Sequence, residues 1–301
     1  VAGLGLPPRL AAMLLKSDGP VEKGIACELA ALLSDRDIFF SNKGSDIVER
    51  LLALQDYKAN RNAALKAHPI KRSSVEQLLT SSSTLRRAVK TEKSSAGFSL
   101  TQLQSTIGKL LLYAYPDRLA KRRSNSCGRY QLANGRGVFL FDDDPLFGSD
   151  WLVIADCDAQ KKEGRIFSAA SISYASVLDC LGDSLVERDQ FEFDRQRQKI
   201  IGRSITEYGA IKIKSTAISD IPPEKFQQCM HQIFEESGLD ILNWTARCDG
   251  WLSRAHWLGE HLATFPQLSK SSLLESLDEW LLPYLSGVNS IAELKKVNVI
   301  E

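Results

Sequence analysis

Apolar residues recur at helical spacing through the first third of the chain. Pro7-Pro8 open a run to Lys16 in which Leu10, Met13 and Leu14 share one face, and proline suits a first helical turn. Glu22–Leu33 repeats the pattern with Ile25, Leu29, Leu32 and Leu33, and residues 45–66 continue it with Ile47, Val48, Leu51, Leu52 and Leu54. Residues 73–96 are rich in serine and lack a strong period, which predicts a short helix followed by a mobile loop. A firmer helix is predicted over Thr101–Tyr113, where Leu103, Ile107, Leu110 and Leu111 line up, and Pro116 should end it.

The texture changes at Gly128. GRYQLA, then Asn134-Gly135, then RGVFLF predicts a hairpin, because Asn-Gly suits a turn that needs positive φ. WLVIADCDA and RIFSAASIS are further β-rich runs, YASVLDCL predicts a short helix, and KIIGRSI and YGAIKIKSTAI return to strand character. Five or six strands with one helix in this span suit a small antiparallel barrel such as an OB-fold, with a sandwich as the competing solution. Pro222-Pro223 then opens a helical region that ends in a wide stripe of Leu273, Leu274, Leu277, Trp280, Leu281, Tyr284 and Leu285. Four of the five tryptophans fall in this last region, and packing in a core is their expected role. The fold class expected is α+β and multidomain: a helical bundle, a small antiparallel OB-like barrel, and a helical C-terminal region.

Composition narrows the class without naming a chemistry. The 301 residues are 44% hydrophobic and 25% charged, which describes a globular chain of two or three domains. No apolar run approaches the ~20 residues of a membrane-spanning helix, and the first residues lack the basic start of a signal peptide. A cytoplasmic protein with no membrane partner is expected, and Val1 in place of Met suggests a fragment. The six scattered cysteines, none in a C-x-x-C pair, suggest free thiols.

Charge is segregated although it sums to +1. Residues 61–93 carry eight Lys and Arg against two acids, and 109–136 carry seven against one. Residues 137–160 hold six aspartates and no Lys or Arg, and from 217 to the end acids outnumber bases twelve to six. Screening confines each block's influence to ~8–10 Å at physiological salt, so a nearly neutral chain can still bind a polyanion locally.

Catalytic patterns are absent. The chain has no G-x-x-x-x-G-K-[ST] loop, no D-E-x-H box, no G-x-G-x-x-G and no G-x-S-x-G, so no ATP hydrolysis and no catalytic residue are expected of it alone. His256-Trp-Leu-Gly-Glu260-His261 resembles a zinc motif, but the two histidines fall on different helix faces and no metal site is expected. Asp142-Asp143-Asp144 with Asp156 and Asp158 is read as acidic turns.

The informative stretch is AYPDRLAKRRSNSCGRYQLANGRG, Ala114 to Gly137. Arg118, Lys121, Arg122 and Arg123 gather where a helix meets the first strand pair, followed by Arg129, Tyr130 and Arg136. Cations there would hold backbone phosphates, and an aromatic such as Tyr130 could stack on a base, its alternative being core packing.

AYPDRLAKRR followed by GRYQLANGRG strongly resembles the HrpB-type DEAH-box ATP-dependent RNA helicases of bacteria. GLPPRLAAMLL, ACELAALLSDRDIF, GLDILNWTA and LDEWLLPYLSGVNSIAELKKV extend the resemblance across the chain. The resemblance implies a ratchet-like helicase-associated bundle at 1–124, an OB-like barrel at 125–218 and a truncated HrpB-type C-terminal region at 219–301. It implies partners, namely single-stranded RNA or DNA and the RecA-like motor and winged-helix domains of the same protein. It also implies ATP and magnesium as cofactors of the parent protein, with none in this chain. The expected role is to guide and grip the strand through Arg118, Lys121, Arg122, Arg123, Arg129, Tyr130 and Arg136. The competing expectation is a protein-docking module that recruits a partner and does not touch RNA.

Overall fold

The computed structural model describes residues 5–40, 44–91, 99–158, 163–285 and 287–299. The chain divides into two compact units, one of residues 1–186 with 207–212 and one of residues 187–206 with 213–301.

The first unit begins with six helices: α1 (Pro8–Lys16), α2 (Gly19–Ser34), α3 (Ile47–Ala59), α4 (Arg61–Ala67), α5 (Arg72–Ala88) and α6 (Leu100–Ala114). Every residue of α2 from Gly24 to Leu32 is buried, so this helix is surrounded by the others. Its one carboxylate in that run, Glu28, is buried and held by Arg86 of α5 at 2.5 Å and Lys58 of α3 at 2.6 Å, as a buried charge requires. The helical pattern over 45–66 breaks into α3 and α4 at Asn60, whose side chain caps α4 by accepting from the Ala63 N–H. The serine-rich stretch forms a 17-residue helix, longer than expected, because Val75, Leu78, Ser82 and Leu85 bury one face. The loop expected after it falls at 92–98, outside the described residues.

Five strands follow: β1 (Leu119–Arg122), β2 (Arg129–Leu132), β3 (Gly137–Phe139), β4 (Trp151–Cys157) and β5 (Glu163–Ser171). They close into a barrel in the order β1-β2-β3-β5-β4. All pairs are antiparallel except β3 with β5, which is parallel. Ala120, Tyr130, Leu132, Val138, Leu140, Leu152, Ile154 and Ile166 fill the interior. Two strands escape sequence reading. β1 has four residues, two of them charged, so it reads as a basic junction; only its pairing on both sides makes it a strand. β6 (Val186–Asp194) is largely exposed and polar, and it belongs with β7 (Lys199–Tyr208) and β8 (Ile211–Ile218) in a separate three-stranded sheet. The barrel thus occupies 119–171, and the later strands do not join it.

Helix α6 seats the bundle on the barrel. A Cβ at Gly108 would lie 2.5 Å from the carbonyl oxygen of Ser171 at the end of β5, so glycine sets this close approach. A second tie runs through Asp144, which accepts hydrogen bonds from the Ser45 amide and hydroxyl, both at 2.9 Å, and from the Leu146 amide. Helix α7 (Tyr174–Leu181) completes the first unit, together with the β7–β8 turn, where the Ala210 amide donates to the Ala133 carbonyl at 2.8 Å.

The second unit packs α8 (Pro223–Ser237), α9 (Ala246–His261), α10 (Lys270–Glu275), α11 (Leu277–Trp280) and α12 (Ile291–Leu294) around Met230, Ile233, Phe234, Leu239, Leu277, Leu285 and Leu294. Trp244 and Trp280 pack against that core, but Trp251 and Trp257 on α9 are exposed, against the expectation of burial.

Candidate nucleic-acid interface

The barrel separates the cations that lie together in sequence. Strand β1 carries Arg118 just before one end and Arg122 at the other. The β2–β3 turn brings Arg136 back to the Arg118 end, where both line a recess of about 220 Å³ with Asp117, Asn134 and Asp158. Arg122 faces Tyr130 across the β1–β2 ladder, so Arg122, Arg123 and Arg129 gather at the opposite end.

Several of these cations already have protein partners. Arg118 donates to the Ala155 carbonyl and lies over the Tyr115 ring, 4.9 Å from its centroid. The groove beside it, about 500 Å³, is also lined by Asp35, Asp37 and Asp156, so it is no purely cationic channel. The Lys121 ammonium donates to the Lys212 carbonyl at 2.6 Å and sits over the Trp151 ring, and burial lowers its pKa. Arg122 is held by Asp150 at 2.6 Å, within the Asp-rich stretch. Arg123 and Arg129 share the Glu163 carboxylate, each at 3.6 Å, and both remain substantially exposed. The long ion-pair distances leave these two guanidinium groups more available to an incoming phosphate than Arg118, Lys121 and Arg122.

Tyr130 is a correction. Its ring is completely buried inside the barrel and its hydroxyl donates to the Leu146 carbonyl at 3.3 Å. The strand alternation that turns Arg129 and Gln131 outward turns Tyr130 inward, so it cannot stack on a base.

The same alternation exposes residues that sequence reading passed over. In RGVFLF, Val138 and Leu140 point into the barrel, while Phe141 on the outside is 48% exposed. Phe147 is also exposed, its ring pressed on Gly128, where a Cβ would lie 2.6 Å from Cε2. Arg165 on β5 stands 4.8 Å from the Phe141 ring centroid. The period-two pattern was the signal, and it was legible once Tyr130 and Val138 were both assigned inward.

The two histidines of the zinc-like motif are engaged separately. The His256 Nδ1–H donates to the Leu268 carbonyl, and the His261 Nδ1–H donates to the Trp257 carbonyl while its ring stacks on that indole at 4.2 Å. Among the described residues no group of three or more His, Cys, Asp or Glu is placed to hold a metal ion. Among them, too, no helix is long and apolar enough to cross a membrane.

No family model matches the chain. Over its full length it is similar to the ATP-dependent RNA helicase HrpB of Escherichia coli strain K12, with 28% identity over 315 aligned residues. The chain matches an HrpB helicase. Two solved structures agree, the E. coli DExH-box NTPase HrpB and the E. coli DEAH/RHA helicase HrpB, each with a TM-score of 0.55 at 26% identity over 99% of this chain. The chain spans about a third of the length of HrpB, 34% in each comparison.

Proposed function

We propose that this chain is the C-terminal, strand-guiding portion of an ATP-dependent RNA helicase of the HrpB type. In this reading the helices up to Ala114 form the ratchet-like bundle, the barrel of residues 119–171 is the OB-like part, and the helices from Pro223 onward form a C-terminal region. The five barrel strands, in Greek-key order with one parallel pair, support the OB-like assignment. RecA-like domains of the same protein would bind ATP and magnesium and drive the cycle. The residues present here do not fit that role, since the sequence has neither a P-loop nor a D-E-x-H box.

The observation that carries the reading is the match of this whole chain to a third of HrpB, joined to a barrel end where Arg122, Arg123 and Arg129 crowd together at the surface. Such a cluster binds backbone phosphates and gives affinity without sequence readout. It suits a part that must hold any stretch of a moving single strand. Arg118, Lys121 and Arg136 serve the same path from the wall and far end of the barrel. Lys121 acts there chiefly by holding the first residues of β8.

The test is binding of a labelled single-stranded RNA oligonucleotide, followed by fluorescence anisotropy. Arg123→Glu with Arg129→Glu should weaken binding by about tenfold or more, as expected for two lost phosphate contacts, and lower the melting temperature only slightly, because the charges set against Glu163 are exposed and screened. Wild-type affinity in that double variant, or no binding by the unmodified chain, would end the proposal in favour of a protein-docking role.

A further inference from the structure

Three adjacent strands of the barrel place a cation, an aromatic ring and a second cation side by side. Arg129 on β2 is paired with Phe139 on β3, and Phe139 is paired with Arg165 on β5. Their neighbours Tyr130, Val138 and Ile166 all point into the core, so this row lies on the outer wall. Phe139 meets Phe141 edge to face at 5.4 Å, and the Arg165 guanidinium lies over Phe141. Between Phe139, Phe147, Arg129 and Glu163 the surface forms a recess of about 330 Å³.

Three features make this recess more than a dent in a wall. Phe141 and Phe147 are exposed large apolar side chains on neighbouring segments, an arrangement that solvent disfavours without a ligand. Among the described residues no carboxylate lies within ion-pair distance of Arg165, which packs on the faces of Phe141 and Phe167. The recess opens beside Arg123 and Arg129, the two available phosphate contacts at this end of the barrel. Aromatic faces interleaved with guanidinium groups are what an unpaired base and its flanking phosphates require: every base has a π-face to stack, and the cations track the backbone.

We infer that the outer wall of the barrel, at Arg129, Phe139, Phe141, Phe147 and Arg165, is a stacking site for an unpaired nucleobase of single-stranded nucleic acid. The inference rests on the strand-guiding reading and adds the base contact that buried Tyr130 cannot supply. Phosphates engage Arg123 and Arg129, a base lies on the exposed Phe141 ring with Arg165 at its edge, and the recess at Phe147 takes its neighbour. Glu163 then loses its two arginines to the phosphate and is left facing solvent.

The experiment compares two probes on the full chain: a uridine-rich RNA oligonucleotide carrying one 2-aminopurine, and an abasic backbone of equal length. The variants are Phe141→Ala and Phe147→Ala. Phe147 touches Gly128, so melting temperatures are recorded for both, and exposed Phe141 keeps the test informative if Phe147→Ala unfolds. Binding of the base-bearing probe to the wild-type chain should quench 2-aminopurine. Each alanine variant should weaken it by about 5- to 100-fold, the range for one lost base stack, and reduce the quench. The abasic probe should bind wild type and Phe141→Ala equally. Undiminished affinity and quench in folded Phe141→Ala would overturn the stacking site, while loss of binding in the Arg123→Glu, Arg129→Glu variant would leave the strand-guiding reading standing. Equal weakening of both probes by Phe141→Ala would also overturn it. No binding of either probe to the wild-type chain would remove both proposals.

Discussion

At the scale of single residues, burial decides what a side chain can do, and it does so against the apparent chemistry of the sequence. Tyr130 and Phe141 are eleven positions apart and equally aromatic, yet one ring is sealed and the other is open to solvent. Asp46 shows the same control acting on a proton. Its side chain caps α3 by accepting from the Val48 N–H at 2.9 Å, but burial pushes its carboxyl from the ordinary 3.8 up to about 6, with the Val48 bond opposing and Glu49 and Asp144 adding to the rise. Below the unfolded value the group is neutral in both states. Between that value and about 6 the folded protein keeps a proton that the unfolded chain has released, so stability contributed here is lost as pH rises through the folded pKa. Asp46→Asn keeps a cap of similar quality and removes the charge. The melting-temperature difference between variant and wild type should therefore be small near pH 4 and grow in favour of the variant by pH 7. At about 1.4 kcal/mol per pKa unit the gain is on the order of 1–3 kcal/mol. A difference that does not change with pH would show that Asp46 ionises freely in the fold.

At the scale of elements, short strands and close helix contacts define the architecture. Helix α6 is legible from its 103, 107, 110, 111 stripe, but the stripe does not say that Gly108 on the same helix must meet the barrel. The contact is with backbone, the Ser171 carbonyl, which cannot rotate away as a side chain would. Gly108→Ala is expected to lower the melting temperature by an amount equivalent to about 1–3 kcal/mol, the usual penalty of overpacking, even though alanine is the better helix former. A melting temperature at or above wild type would mean that α6 can slide on the barrel. Strand β1 makes the complementary point. Nothing in Leu-Ala-Lys-Arg demands a strand; pairing with β2 on one side and β4 on the other makes one and sends Lys121 and Arg122 to different surroundings.

At the scale of the whole molecule, net charge conceals how the charges are distributed. The chain totals +1, so a reading from the total alone excludes a polyanion partner. The local field depends on which charges stand within a screening length of one another. Carboxylates at Asp150 and Glu163 temper the arginines of the barrel end without burying them. Some three to five phosphate contacts on a single strand predict that the logarithm of RNA affinity falls with the logarithm of salt at a slope of about −2 to −3.5. Anisotropy titrations at several salt concentrations measure it directly. A slope near zero would mean that attraction to phosphate contributes nothing and that the exposed arginines serve solubility alone.

Helices α1, α2, α3, α6 and α7, the Asn134-Gly135 hairpin, the strand character of β4, β5, β7 and β8, and the proline-led start of α8 follow from residue order, because each rests on a local period or a local turn preference. The basic stretch from Arg118 to Arg136 was visible for the same reason. Tertiary structure alone decided how that stretch is used. Barrel closure is a long-range pairing, of Leu119 on β1 with Val153 on β4, and it fixes which face of each strand is inside. It buried the tyrosine, split the cations between two ends, tied Arg122 to Asp150, and brought Phe139 between Arg129 and Arg165. Local sequence carries no information on such pairings, since the energy that selects them comes from the common core they enclose.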